Sequence, residues 1–152
     1  MTAEMNAPDS PDTLLGGQGV NLSSLAHRSI TTMIRDRRLK GGETIIEAAQ
    51  RHGVEIPHLC YTPGMRPDGN CRACMVEIDG ERNLAASCSR QVSDGMEVRS
   101  ETSERALNSR RLVMELLLAD QPPRAQAHDR NALFWHWAGE LELPGSRFPQ
   151  RT

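Results

Sequence analysis

The four cysteines Cys60, Cys71, Cys74 and Cys88 most constrain this chain, because they are its only cysteines and they form one pattern, C-x10-C-x2-C-x13-C. A close pair flanked by one distant cysteine on each side suits four thiolates converging on a single inorganic group. Ligation by four cysteines is the usual coordination of a 2Fe-2S centre. The region between the first two cysteines contains Pro63, Gly64, Pro67, Gly69 and Asn70, a composition that opposes regular structure and lets the backbone wrap around its contents. Such a loop can turn backbone N–H groups toward sulfur, as a negatively charged cluster requires. Arg66, Arg72 and Arg90 lie close in sequence to the thiols and are expected to offset part of that charge.

Other chemistry is open on the cysteines alone. Structural zinc also accepts four cysteines, although it usually draws two knuckle pairs, and here only Cys71 and Cys74 are close. A cluster-free assembly module is a further alternative. A thioredoxin-like role for Cys71-Arg-Ala-Cys74 needs a helix after the motif, and a strand pattern follows it. Rieske ligation needs two histidines in place of two cysteines. His58 precedes Cys60 by two residues without a second histidine near Cys71 and Cys74, so it reads as a surface or neighbouring residue.

With 152 residues, the chain has room for one domain and its tails. A formal charge of −2 supplies no strong field, which argues against nucleic acid as a partner. No basic segment followed by an apolar run opens the sequence, and its most apolar stretch, residues 112–119, is short and broken by Glu115. The expectation is a cytoplasmic protein without a membrane span, a compartment where clustered cysteines bind metal more often than they form disulfides.

Residues 1–27 are polar, with too few aliphatics to bury a face, and read as a disordered leader. Order is expected to begin with a hairpin over residues 29–40. Thr44-Ile-Ile-Glu47 matches a capping box and predicts a helix to about His52, stopped by Gly53, with Ile45, Ile46, Ala48 and Ala49 buried. Met75-Val-Glu-Ile78 alternates as a strand, Asp79-Gly80 signals a tight I′ turn, and residues 82–85 are predicted to return beside it. A turn at Asp94-Gly95 leads to a strand over residues 96–99. Thr102 or Ser103 then caps a helix ending at Asp120, with Ala106, Leu107, Val113 and Leu117 on its apolar stripe and Arg105, Arg110 and Arg111 on its solvated face. Met33, Met65, Met75, Met96 and Met114 read as core filler. Of five aromatics, Phe134, Trp135, Trp137 and Phe148 fall near the end, where residues 131–142 are expected to form a short helix. Those rings either fold back on the core or form a docking face.

Gly42-Glu-Thr-Ile-Ile-Glu-Ala-Ala49, Ile56-Pro-His-Leu-Cys-Tyr61, Gly69-Asn-Cys-Arg-Ala-Cys-Met-Val-Glu77, Ala86-Ser-Cys88, Asp94-Gly-Met96 and Arg110-Arg-Leu-Val-Met-Glu-Leu-Leu-Leu118 carry a family resemblance over residues from about 29 to 122. This stretch resembles the N-terminal ferredoxin domain of the large iron–sulfur subunit of bacterial NADH dehydrogenase. It is closer still to its relative in the alpha subunit of NAD-dependent formate dehydrogenases; NAD-linked hydrogenases carry related domains. The resemblance implies an α+β, β-grasp (ubiquitin-like) 2Fe-2S ferredoxin fold with a C-terminal helical extension. It also implies one cluster per chain, bound by Cys60, Cys71, Cys74 and Cys88, single-electron transfer, and flavin and iron–sulfur subunits as partners. The expected division is residues 28–100 for the ferredoxin domain, 101–120 for the helix and 121–152 for a Pro/Arg/aromatic tail. In those large subunits a histidine-plus-three-cysteine cluster motif follows, whereas no cysteine follows Cys88 here and His128 has none downstream. The chain is therefore expected to be no enzyme on its own and not to oxidise formate alone, being either a stand-alone module or a piece of a larger enzyme.

Overall fold

A computed structural model describes residues 42–149; the expected leader and the hairpin over residues 29–40 lie outside the described residues. Helix α1, Ile45–Arg51, begins where the sequence places it. Thr44 accepts from the Glu47 amide, and Glu47 Oε2 accepts from the Thr44 amide at 2.8 Å. His52 caps the other end, and Gly53 follows at φ +74°, a left-handed conformation that glycine adopts without a Cβ penalty. Ile45, Ile46, Ala48 and Ala49 are buried, as their spacing predicts.

Strands β1 (Met75–Ile78), β2 (Ala85–Ala86) and β3 (Val98–Arg99) form an antiparallel sheet in the order β2-β1-β3. Val76 and Ile78 point into the core while Met75 and Glu77 are half-buried, the period-two pattern of a strand with one covered face. The predicted tight hairpin is not formed. Val76 pairs with Ala85 and Ile78 with Val98, so β1 gives one end to each neighbour and residues 77–84 make a wider connection. Of Asp79 and Gly80 only the glycine is left-handed, at φ +76°, with the Glu81 amide bonded to the Ile78 carbonyl at 3.0 Å. A I′ turn would require both residues there.

Helix α2, Glu104–Ala119, is capped by Ser103, whose Oγ accepts from the Ala106 amide at 3.1 Å, and it packs on β1. Its buried face is Ala106, Arg110, Met114 and Ala119 rather than the expected aliphatic stripe. Leu107, Val113 and Leu117 are only half-buried, and Leu112 and Leu116 are exposed. Arg110 corrects the reading of all three arginines as solvated: it is 1% exposed, whereas Arg105 and Arg111 do face solvent. Helix α3, Leu133–Glu140, follows a short 3-10 turn at Arg124–Gln126.

Two apolar clusters result. One joins α1 to the sheet through Ile45, Ile46, Ile56, Tyr61, Val76, Val98 and the sulfur-bearing Cys74 and Cys88. The other joins Ala73, Met114, Trp137, Ala138 and Leu141, with Leu59 and Cys71 packed against it. Trp135 and Trp137 are both buried, so these two rings fold back on the domain. Met96 and Met114 fill core space; Met65, at 68% exposure on the cysteine loop, does not. Among the described residues no helix is long and apolar enough to cross a membrane.

Candidate metal centre

Each thiol is placed by a different piece of chain. Cys60 ends the segment that leaves α1 through the buried Val54 and Ile56, and Tyr61 anchors its far side in the first core cluster. His58 Nδ1 donates to the Ile56 carbonyl at 2.8 Å, and the ring lies against Tyr61 and Trp137, which fixes it beside the site and away from ligation. Cys71 and Cys74 flank Arg72 and Ala73, and Arg72 adopts φ +58°. That conformation is uncommon for a residue with a side chain, and here it turns the chain between the partly exposed Cys71 and the buried Cys74. Cys88 is held from two sides. The Ser87 amide donates to the Cys74 carbonyl at 3.1 Å, and the first amides of α1 donate to the carbonyls of Ser87 and Arg90 at 3.0 and 2.9 Å. The helix start thus uses its otherwise unpaired donors to clamp the fourth cysteine's strand.

All four cysteines are free thiols; Cys74 and Cys88 are buried, Cys60 and Cys71 partly exposed. The Cys71 amide donates to Cys60 Sγ at 3.4 Å, and Cys88 lies within electrostatic reach of the other three thiols, Cys74 first. Burial raises the Cys60 thiol, but the amide and side chain of Cys71, with the amides of Asn70 and Cys60 itself, outweigh it and leave the thiol below its ordinary value. Cys71 is raised by burial against the opposing pull of the Ala73 amide. Burial, then the nearby Cys74, Cys60 and Cys71 thiols, push Cys88 up to about 12. Cys60 therefore meets backbone N–H donors, whereas Cys74 and Cys88 lie in the apolar core. The loop glycines serve this wrapping: Gly69 has φ +64°, and a Cβ there would meet Ser89 Oγ at 3.4 Å.

Among the described residues, no three His, Cys, Asp or Glu side chains gather as a lone metal ion would need. A tetrahedral zinc ion draws all its ligands around one point, whereas a two-iron centre asks for two thiolates at each iron. Ser87, which directly precedes Cys88, is fully buried and its Oγ has no hydrogen-bond partner among the described residues. The free thiols, the amide donors and this orphan hydroxyl fit an anionic sulfur-bridged cluster.

The arginines nearest in sequence are not its main internal cations. Arg66 and Arg72 are exposed, and Arg90 is paired with Glu81 at the surface. Arg110, which sequence reasoning missed as a site residue, lies behind Cys74. Its Nε donates to the Met75 carbonyl and its Nη2 to Ser100 Oγ, both at 2.8 Å. Burial lowers its pKa to about 10, with Cys74 and Glu101 pulling in the other direction, so it remains cationic at neutral pH. Its only sequence signal is position: it follows the buried Ala106 by one helical turn and precedes Met114 by another.

Four free cysteines, three on the loop before β1 and one just after β2, with an amide donor on Cys60, suit a 2Fe-2S protein. The known family described as the 2Fe-2S iron-sulfur cluster binding domain matches residues 28–103, half of the sequence, and the chain belongs to it. Its cofactor is the 2Fe-2S cluster. Similar proteins include the NADP-reducing hydrogenase subunit HndD of Solidesulfovibrio fructosivorans, 41% identical over 107 residues, covering 67% of this chain and 17% of that protein. One subunit of the NADH-quinone oxidoreductase of Mycobacterium bovis is 44% identical over 82 residues, 53% of this chain and 10% of that protein. A crystal structure of an NAD+-reducing NiFe hydrogenase in its H2-reduced state superposes with a TM-score of 0.65 at 33% identity, covering 75% of this chain and 50% of that one. The chain thus spans a small part of these curated relatives.

Proposed function

We propose that Cys60, Cys71, Cys74 and Cys88 hold the 2Fe-2S cluster and that the chain passes single electrons within a larger NAD(P)-linked oxidoreductase. The observation that carries this reading is the 2Fe-2S family match over a segment that holds four free thiols, of which Cys60 accepts from the Cys71 amide and Cys74 and Cys88 are buried. The cluster supplies a one-electron couple; the protein's part is to solvate its charge with N–H groups and exclude water from its inner side. The partly exposed Cys60 and Cys71 form the edge nearest to solvent, where an electron enters or leaves with the shortest path through protein.

The relatives' names favour hydrogenase or NADH-quinone oxidoreductase settings, in which this chain would work beside other subunits. The family resemblance of the cysteine segment adds flavin and iron–sulfur subunits as the proposed partners. The sequence motifs around the cysteines favour the formate dehydrogenase setting among related complexes. We further assign the fold to the β-grasp class. Support comes from the antiparallel order β2-β1-β3, from α1 packed in one core with the sheet, and from the Thr44–Gln91 bridge.

The test is a serine scan. Cys60→Ser, Cys71→Ser, Cys74→Ser and Cys88→Ser, each reconstituted anaerobically, are expected to lose most of their iron while His58→Ala and His128→Ala retain it. A serine variant that keeps full loading would remove that cysteine from the ligand set.

A further inference from the structure

We propose that Arg110 is the internal counter-ion of the cluster and holds its midpoint potential above the value that the cysteine loop alone would give. This rests on the electron-transfer reading above and concerns a residue beyond the part of the chain that the family pattern matches. A guanidinium 1% exposed has given up its water, and burial of a charge is expensive unless another charge or enough hydrogen bonds compensate it. Among the described residues Arg110 donates two hydrogen bonds, both to neutral acceptors, the Met75 carbonyl and Ser100 Oγ. Among the described residues no carboxylate is ion-paired with it, in contrast to Arg51, Arg90, Arg99, Arg105 and Arg147, each of which meets one near the surface.

The neighbouring negative charge is on the other side. Met75 directly follows Cys74, itself 1% exposed, so Arg110 is tied to the backbone at the buried edge of the site. Its charge is felt by Cys74 and, less strongly, by Glu101. Four thiolates and two sulfides around two ferric ions leave a net negative group, and reduction adds one electron to it. A fixed cation in low-dielectric surroundings stabilises the more negative state more than the less negative one, which raises the potential. The exposed Arg66 and Arg72 act through water and salt and contribute less.

The experiment is a redox titration of the reconstituted full chain, followed by EPR at low and high ionic strength. The variants are Arg110→Gln, Arg110→Met, Arg110→Lys and, as an exposed reference, Arg72→Gln, with iron and sulfide measured for each. Both neutral variants are expected to titrate at more negative potential than wild type, by an amount that persists in high salt. The lysine variant should stay near wild type, and any shift from Arg72→Gln should shrink with salt. If one neutral variant fails to load, the other decides; failure of both beside a loaded lysine variant also shows that the charge is required. A loaded neutral variant at the wild-type potential overturns the inference. So does a lysine variant that shifts as far as glutamine or fails to load with the other two, since the hydrogen bonds rather than the charge would then hold the site. A wild-type chain that takes up no iron defeats the electron-transfer reading itself.

Discussion

Glu77 joins the sheet to the start of α2. Its carboxylate accepts from Ser103 Oγ, the helix cap, and from Arg105 Nη1 at 3.0 Å. The hydroxyl bond first, and then Arg105, hold its pKa below the ordinary carboxylate value. Because the folded value is lowered, the stabilisation is complete above the unfolded pKa and is lost as pH falls through the folded one. Melting temperatures of wild type and Glu77→Gln, compared from about pH 7 to about pH 3, should therefore converge on the acid side. A constant difference across that range would contradict the assignment. At this scale the four cysteines stand out in the sequence by their spacing, and their part as ligands is the proposal that the serine scan tests. Arg110 does not stand out: its type predicts solvent, and only the tertiary placement of the Met75 carbonyl and Ser100 gives its head a buried partner. Arg72 was equally hidden, because nothing in the sequence marks a non-glycine residue as left-handed.

Helix α1 is the element read most directly, because a capping box and a terminal glycine are local chemistry acting within a few residues. Thr44→Ala should cost about 1 kcal/mol, read as a lower denaturant midpoint at unchanged slope. The cap also orients the amides of Ile45 and Ile46 toward the segment that carries Cys88, so the variant is expected to lose iron faster to a chelator. Unchanged stability and iron retention would show that this cap is redundant. Among the described residues β1 has the bounds its sequence predicts, whereas β2 overlaps its expected range only at Ala85, β3 keeps only the second half of residues 96–99, and the expected tight turn is absent. Asp79-Gly80 is a strong local signal for a hairpin, yet β1 divides its pairing between β2 and β3 and leaves no second half of a tight hairpin at the turn. Register of this kind depends on contacts distant in sequence, and α2 shows the same limit. Its extent and Ser103 cap follow from sequence, but its buried face was misassigned because an alanine, an arginine and a methionine make a stripe that hydrophobicity does not reveal.

At the scale of the whole molecule, the tail closes the site. Trp137 and Leu141 pack in one cluster with Ala73, between Cys71 and Cys74, and with Met114, while Leu59 and Cys71 border it. The choice between a folded-back and a docking role for the two tryptophans was open in sequence and depends on this long-range packing. The family match, residues 28–103, contains all four cysteines, whereas Arg110 and the tryptophans come from the chain that follows it. The central claim is that this assembly carries one redox-active two-iron cluster. Its most direct measurement is the low-temperature EPR spectrum of the anaerobically reconstituted chain before and after dithionite, alongside iron and acid-labile sulfide assays. About two irons and two sulfides per chain, silent when oxidised and showing a spin-half signal on reduction, are predicted. Zinc in place of iron, or a reconstituted chain with no reducible signal, would contradict it.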